Sequence, residues 1–341
     1  MENINRTYVR YLRYTVQWSI VFFIIYAGYI FYVFVAHFDG NALPQESPLS
    51  SPPVTRPPSV DGFLPIGSFM ALKLWITTGI FDRIHPSGLV IFAAALVMAL
   101  LLKKGFCGWI CPVGALSDAT WKIGKKLFHT NYRIHPYVDY SLRSLKYLLM
   151  IFFLYIVLLK MSPYEIMQFL EGDYYKIADV KMLYFFTRMS SATFITLLAL
   201  VFFSIVSKNV WCRYLCPYGA LLGLISMCSP LKITRNEDAC INCGQCTRNC
   251  PSLLPVEEKI RVYSPECTGC LTCVSHCPAK GALDIAVSRR MIVQPILFAL
   301  LIIGLFFGSV GVAKLAGTWH SSVPYGEYQR IIPLASILDH P

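Results

Sequence analysis

The cysteines are the residues of this chain whose spacing most directly implies chemistry. The sequence holds 13 of them, and eight form two runs in which successive cysteines are separated by two, two and three residues. The first run is Cys240, Cys243, Cys246 and Cys250, and the second is Cys267, Cys270, Cys273 and Cys277. Zinc sites lack this doubled pattern, and a cytoplasmic location disfavours disulfides. The runs therefore predict two iron–sulfur clusters held by thiolates.

The two runs are expected to exchange their last cysteines. Three closely spaced thiolates cover one face of a four-iron cube, and the fourth ligand comes from the other run. One [4Fe–4S] cluster is therefore assigned to Cys240, Cys243, Cys246 and Cys277, and the other to Cys250, Cys267, Cys270 and Cys273. Gly244 and Gly269 are expected to relieve crowding where the backbone approaches the sulfides. Short strands at 256–262 and 282–287 are expected to complete a small ferredoxin unit.

Four further cysteines lie in an internal repeat. Residues 103–116 and 208–221 match at a constant offset of 105, and each copy contains a Cys-x3-Cys-Pro unit: Cys107 with Cys111, and Cys212 with Cys216. Cysteines at i and i+4 share one face of an α-helix, so the two copies are able to present four thiolates to one centre. A third iron–sulfur cluster, a redox-active dithiol pair and a structural helix-terminating motif are the alternatives. Cys228 fits no pattern and is expected to be a small buried residue.

The elements that carry these motifs are expected to be membrane helices. Hydrophobic residues make up 55% of the chain and charged residues 14%, and the mean hydropathy of +0.53 argues against a water-soluble enzyme. A span needs about 20 apolar residues. Five stretches are predicted to cross the membrane: Trp18–Ala36, Ser87–Leu102, Leu145–Leu159, Ala192–Ser207 and Met291–Val312. The Pro-rich stretch from Pro44 to Pro58 is expected to be extended, and Phe63–Ile80 to lie in the outer interface.

The distribution of basic residues predicts the orientation. The N-terminal tail, residues 103–146 and residues 208–290 hold 21 of the 30 Lys and Arg residues. Cytoplasmic segments of membrane proteins are enriched in these residues. The N-terminus and the ferredoxin unit are therefore predicted to be cytoplasmic, and the C-terminus to be outside. Topology and contact with anionic lipid explain the net charge of +11, so nucleic-acid binding is not expected.

The expected fold is an α-helical integral protein of a bacterial cytoplasmic (inner) membrane, with about five transmembrane helices and an inserted cytoplasmic α+β ferredoxin domain. The predicted divisions follow the motifs. They are 1–36 for the tail and first transmembrane helix, 37–87 for the Pro-rich outer loop and interfacial segment, 88–230 for the next three helices and the repeated motifs, 231–290 for the ferredoxin domain, and 291–341 for the last helix and outer tail.

The residues predict an electron relay rather than catalysis by the ferredoxin unit alone. No Gly-rich phosphate loop accompanies the cysteines, and no Cys-x-x-Cys-His motif for covalent haem occurs. Oxidation of a quinol needs a lipid-accessible pocket with a proton acceptor. Lys73, Asp82 and His85 are candidate lining groups, although interfacial and helix-capping roles explain them more simply.

Over roughly residues 88–290, the sequence resembles the NapH/NosR-like membrane polyferredoxins, which include YccM-like members. Its Cys-x3-Cys-Pro units match the paired motifs of that family, and its eight ferredoxin cysteines match the family's cluster ligands. The resemblance implies electron relay between the quinone pool, menaquinone or ubiquinone, and a redox protein partner on either side of the membrane. An enzymatic role would be that of a quinol dehydrogenase subunit. The alternative is a maturation or regulatory factor that reduces a metal or thiol of another protein through its Cys-x3-Cys pairs.

Overall fold

The computed structural model describes residues 2–39, 54–129, 131–132, 134–287, 291–335 and 337–338. Most of the Pro-rich stretch expected to be extended lies in residues 40–53, outside the described residues. The described part of the chain is mainly helical. Its α-helices are α1 Glu2–Asp39, α2 Pro65–Thr78, α3 Pro86–Leu101, α4 Pro112–Phe128, α5 Pro136–Leu154, α6 Pro163–Glu171, α7 Asp173–Lys176, α8 Ala178–Thr187, α9 Ser191–Val206, α10 Pro217–Ile225, α11 Gln245–Arg248, α12 Thr272–Ser275, α13 Pro295–Leu315 and α14 Tyr325–Ile331.

Three of these helices are long and apolar enough to cross a membrane. They are α1 over Tyr8–Asp39, α5 with the π-helical turn that follows it over Pro136–Lys160, and α13. Helices α8 and α9 pass the same test together, as a pair bent by 77°. Helix α3 is apolar but has only 16 residues, which at 1.5 Å per residue is shorter than a bilayer core. Each of the five predicted apolar stretches thus lies largely in a helix, and helix length supports three or four spans.

The chain forms two compact units, each built from three segments. Unit 1 contains Met1–Val21, Ala94–Ile151 and Leu197–Gly308, and unit 2 contains Phe22–Ala93, Phe152–Thr196 and Ser309–Pro341. Unit 1 therefore holds all thirteen cysteines. The division into consecutive domains made from the sequence remains a prediction.

Unit 1 contains a three-stranded antiparallel sheet in the order β1-β2-β3, formed by Lys232–Arg235, Leu283–Ala286 and Ile292–Val293. Strand β2 confirms the predicted strand at 282–287. The strand expected at 256–262 is wrong: Val256–Glu258 is a 3-10 turn, and only Arg261 forms an isolated bridge, to Thr234. Pro255 precedes the turn, and its fixed φ and missing N–H favour a turn over a strand here.

Unit 2 holds two apolar cores. One forms around Phe34, Ile177 and Ile331, and the other around Leu74, Leu89 and Ile166. Local sequence signals define its helix ends. Helix α6 begins with a capping box between Ser162 and Glu165, followed by proline at the first helical position. The segment expected to lie in the interface, 63–80, consists mainly of α2, which ends at Gly79 with a φ of 76°.

Candidate iron–sulfur sites

The first ferredoxin site, defined as Cys240, Cys243, Cys246 and Cys277, surrounds a cavity that all four residues line. Gly244 begins α11 with a φ of 69°, a conformation that glycine adopts without a steric penalty. All four cysteines are half-buried, whereas Ile241 between them is 64% exposed. The four residues predicted to share a cluster therefore lie around one cavity, close to the surface of the unit.

The second ferredoxin site, defined as Cys250, Cys267, Cys270 and Cys273, lines a separate cavity. Three of its cysteines are buried and Cys270 is half-buried. Burial raises the pKa of Cys250 to about 12. Burial also raises the pKa of Cys267, and the positive charge of Lys103 opposes that rise. Because a metal binds the thiolate, loading this site requires the release of protons.

The first copy of the repeat packs against the loop that carries Cys267 and Cys270. A Cβ atom placed on Gly108 would lie 2.7 Å from the carbonyl oxygen of Thr268, so glycine is required for this approach. Trp109 Nε1 donates a hydrogen bond to the carbonyl of Gly269 at 3.1 Å. The first Cys-x3-Cys-Pro unit is thereby held against the second ferredoxin site.

Arg13 of α1 strengthens this contact. Its guanidinium donates to the carbonyl of Gly108 at 3.0 Å and to Thr272 Oγ1 at 2.7 Å. It also pairs with the carboxylate of Asp118 on α4 at 3.0 Å. Arg13, Asp118 and Thr272 are all buried. Arg13 was counted in the sequence only for its positive charge. In the structure, its hydrogen bonds help to hold the second ferredoxin site in place.

The second copy of the repeat contacts the other segment of the same site. Lys208 Nζ donates to the carbonyls of Arg248 at 2.9 Å and Cys250 at 3.3 Å. Arg213 donates to the carbonyl of Ser252. The two copies therefore hold the two chain segments that supply the thiols of the second ferredoxin site.

The tetracysteine site, defined as Cys107, Cys111, Cys212 and Cys216, differs locally from the expected helix. Residues 106–110 and 211–215 each form one π-helical turn, and Cys111 and Cys216 are extended, with ψ angles of 121° and 103°. The proline after each of them disfavours a helical conformation of its predecessor and begins the next α-helix. The expectation that each pair shares one face of an α-helix is therefore wrong.

The thiols of the two copies nevertheless lie within electrostatic reach of one another. Burial raises the pKa of Cys107 to about 12, and the charge of Lys104 opposes that rise. Burial raises the pKa of Cys111 to about 11, while the backbone N–H of Gly114 opposes it. Lys104 is buried, and its Nζ lies 3.6 Å from the position of a Cβ atom on Gly219, three residues after Cys216. One ammonium group thus lies among thiols from both copies.

The thiols of the three sites lie too far apart to surround a single tetrahedral ion. Among the described residues, which include every cysteine, no three thiols lie within 4.8 Å of one another. A tetrahedral ion with metal–sulfur bonds of about 2.3 Å would hold its thiolates roughly 3.8 Å apart. A donor set of four thiolates is the one that [4Fe–4S] clusters use. The residues present therefore fit such a group at the ferredoxin sites and are compatible with one at the tetracysteine site.

Glu266 is a polar residue of this region that the spacing of the cysteines did not reveal. It directly precedes Cys267, is buried, and accepts hydrogen bonds from Lys146 Nζ at 2.6 and 2.7 Å and from the hydroxyl of Tyr147 at 2.8 Å. Lys146 is fully buried within α5. A buried charge in an apolar helix is itself a signal of function, but the sequence does not identify its partner.

Cys228 lies apart from all three sites. It is exposed, so the expectation of a buried residue is wrong. Its backbone N–H donates to Ile225 at the end of α10. The thiol consequently belongs to the turn that leads to β1 rather than to a packed helix face.

Unit 2 contains a buried ion-pair cluster of a different kind. Asp61, His85 and Asp179 place ligand-type atoms within 4.8 Å of one another, but Arg56 lies among them. Its Nη2 pairs with both carboxylates and lies 3.1 Å from His85 Nδ1. Burial alone would raise the pKa of Asp61, yet Arg56 and His85 lower it to about 2. The guanidinium already pairs with both carboxylates of this cluster, which argues against a metal site.

The three residues considered as quinol-lining groups also make internal hydrogen bonds. Lys73 Nζ donates to the carbonyls of residues 157, 158 and 161. Asp82 accepts from two backbone N–H groups and from the hydroxyl of Tyr175. His85 Nε2 lies 2.7 Å from the carbonyl of Tyr175. Each of the three residues thus has a structural role that accounts for its presence.

Comparisons with known proteins agree with the cysteine chemistry. A family profile described as a 4Fe-4S binding domain matches residues 84–131 and 191–236, and one described as a 4Fe-4S dicluster domain matches residues 232–278. The chain is 41% identical to YccM of Escherichia coli (strain K12), whose name describes it as an electron transport protein, over 93% of this chain and 88% of that one.

More distant relatives match a little over half of the chain. The ferredoxin-type protein NapH of Haemophilus influenzae is 26% identical over 57% of this chain and 68% of its own. The methylamine utilization ferredoxin-type protein MauN of Methylorubrum extorquens is 27% identical over 55% of this chain and 61% of its own. No solved structure matches the chain.

Proposed function

Because the chain belongs to the YccM/NapH-like membrane polyferredoxin family, we propose that it relays electrons between the quinone pool and a redox protein partner. The observation that carries the proposal is that two four-thiol cavities and the two repeated motifs lie in one compact unit. A bound iron–sulfur cluster supplies one-electron transfer at a potential set by its surroundings. The chain supplies the thiolates, the charges near them and the membrane attachment.

The proposed ligands follow the two ferredoxin cavities. Cys240, Cys243, Cys246 and Cys277 would hold one [4Fe–4S] cluster, and Cys250, Cys267, Cys270 and Cys273 the other. Half-burial of the first set suits exchange with a protein partner, whereas burial of the second suits exchange within the molecule. Changing Cys243 or Cys270 to Ala should each remove about four iron atoms per chain. Loss of no iron from either variant would contradict the assignment.

The tetracysteine site is proposed to hold a third iron–sulfur cluster. Its thiols come from two copies of one motif and share Lys104 as a neighbour. Cys107, Cys111, Cys212 and Cys216 would be the ligands. Anaerobically purified protein should then contain about 10–12 iron atoms per chain, depending on whether the centre has two or four irons. A count of about 8, with thiols that oxidise reversibly, would instead favour the dithiol chemistry of a maturation factor.

A quinol is the proposed electron source or acceptor on the membrane side. The support is indirect: the chain has apolar helices long enough to span a membrane and belongs to a family of membrane polyferredoxins. The test is anaerobic EPR before and after addition of a reduced menaquinol or ubiquinol analogue, with dithionite as the control for full reduction. A cluster signal produced by quinol supports the proposal. A signal that appears only with dithionite contradicts the quinone link but leaves the clusters in place.

We propose five spans in a bacterial cytoplasmic membrane, with the N-terminus and the ferredoxin region inside and the C-terminus outside. Helix α4 supports contact of the inner face with anionic lipid, since it exposes an apolar stripe of Leu116, Ile123 and Leu127 beside Lys125 and Lys126. In intact cells, a membrane-impermeant thiol reagent should label Ser322→Cys but label Lys126→Cys only after permeabilisation. The reverse pattern would overturn the orientation.

A further inference from the structure

Lys103 occupies an unusual position beside the second ferredoxin site. It is fully buried, and its φ of 58° places it in the left-handed region. Its backbone N–H donates to Ser229 Oγ at 3.1 Å. The Cβ atom of Lys103 lies 3.2 Å from the position that a Cβ atom on Gly269 would occupy. The first carbon of the lysine side chain therefore packs against the loop between Cys267 and Cys270.

The ammonium group of Lys103 has no oxygen acceptor among the described residues. The charged groups that act on it are Lys232 and Arg261, both cationic, and the thiol of Cys267. Lys232 is also buried, and its Nζ donates to the carbonyls of residues 226 and 227. A buried cation that lacks an acceptor and has cationic neighbours is strongly unfavourable unless a negative charge lies close by. The thiol of Cys267 marks the side from which that charge would come.

The internal repeat places a second lysine near the same site. Lys208 is the equivalent of Lys103 at the offset of 105. Its Nζ is held by the carbonyls of Arg248 and Cys250. The equivalent lysines thus approach the site from its two chain segments. Lys208 is hydrogen-bonded to the backbone, whereas the described residues offer no acceptor to the ammonium group of Lys103.

We propose that Lys103 is a positioning residue that raises the reduction potential of the cluster held by the second ferredoxin site. The inference rests on the proposed clusters of the previous section. Four thiolates give the loaded site net negative charge, and each added electron increases it. A nearby ammonium in a region of low dielectric constant therefore favours the reduced state. Lys232, which is hydrogen-bonded elsewhere, would contribute in the same direction but less.

The test is an EPR-monitored redox titration of the whole protein in detergent or nanodiscs, with iron content measured on each sample. Lys103→Met removes the charge at similar length, Lys103→Arg retains it, and Lys125→Met on exposed α4 is the control. Lys103→Met should lower the midpoint potential of one EPR signal, namely the signal that Cys270→Ala removes. We expect a tenfold change in the reduction equilibrium of that cluster, which corresponds to about 59 mV for one electron. Lys103→Arg and Lys125→Met should leave the midpoint potential near the wild-type value.

Unchanged midpoints in an iron-replete Lys103→Met protein would overturn the inference, as would equal shifts of both ferredoxin signals. If Lys103→Met fails to retain iron, Lys232→Met takes its place: a smaller decrease in the same signal supports the inference, and no change overturns it. Wild-type protein without iron or cluster signals would instead contradict the proposed function itself. The failure of the two proposals is therefore distinguishable.

Discussion

The two ferredoxin sites have the same cysteine spacing but different surroundings. The first is half-buried and has the exposed Ile241 between its ligands. The second is largely buried and is contacted by both copies of the repeat and by Arg13. Ligand spacing determines what a site can hold, whereas the surrounding packing determines how accessible the site is and which charges act on it. The difference suits the first site to a protein partner and the second to exchange inside the molecule.

The largest expected effect comes from Gly108, because its Cα packs directly against the loop between Cys267 and Cys270 of the second site. In Gly108→Ala, the new methyl group would meet the Thr268 carbonyl at 2.7 Å and displace that loop. About four iron atoms per chain should be lost, with the EPR signal of the first site retained. Gly304→Ala is the matched control, since nothing lies within 4 Å of its Cβ position. Equal loss from both sites would show that they are not structurally independent.

The next effect concerns the buried pair between Arg13 and Asp118. Arg13→Met should lower the free energy of unfolding of unit 1 by about 1–3 kcal/mol, because the Gly108 carbonyl and the Thr272 hydroxyl lose a buried donor while Lys122 still pairs with Asp118. Chemical denaturation in detergent measures the change. Arg10→Met on the same helix should cost less than about 1 kcal/mol. If Arg10→Met lowered the free energy of unfolding and Arg13→Met did not, the role assigned to Arg13 would be contradicted.

Accessibility should separate the two sites kinetically. When the purified protein is exposed to air and a chelator, we expect the first site to lose iron several-fold faster, because its ligands are half-buried while three ligands of the second are buried. The time course of the two EPR signals measures the difference. Faster loss from the second site would mean that the contacts made by the repeat do not protect it.

The smallest expected effect is on the pH dependence of reconstitution. Burial raises the pKa of Cys250 to about 12 and also raises those of Cys267 and Cys273. Binding of iron must therefore displace protons, and the yield of the second site should rise as the pH increases from about 7 to 8.5. The first site should respond less, because its four thiols are only half-buried whereas three of the second site are buried. Equal responses would show that burial does not control thiolate formation here.

The local features of the candidate sites were predictable from the sequence. The x2-x2-x3 runs predicted the two groups of cysteines that line separate cavities, and Gly244 and Gly269 adopt the positive φ angles that crowding requires. The apolar stretches predicted helices, which α1, α5 and α13 confirm. These features depend on neighbours in sequence, and short-range sterics and hydrophobicity determine them.

The errors have local causes as well. The prediction that Cys107 and Cys111 lie on one face of an α-helix gave no weight to Pro112. This proline favours an extended conformation of Cys111, the residue before it. The strand at 256–262 overlooked the effect of Pro255. In both cases a hydrophobic or metal-binding pattern was given more weight than the backbone restriction imposed by one proline.

The sequence by itself predicted the ligand groups, the repeat and the membrane character of this protein, because each depends on residue type and short spacing. Only the tertiary structure decided that both copies of the repeat contact the second ferredoxin site, and that Lys103 lies beside it with no acceptor for its ammonium group among the described residues. Such contacts join residues more than a hundred positions apart along the chain, for example Trp109 and Gly269. Periodicity and cysteine spacing carry no information about these long-range contacts. The contacts form because packed helices and loops exclude water, so that each buried polar group must be hydrogen-bonded within the protein.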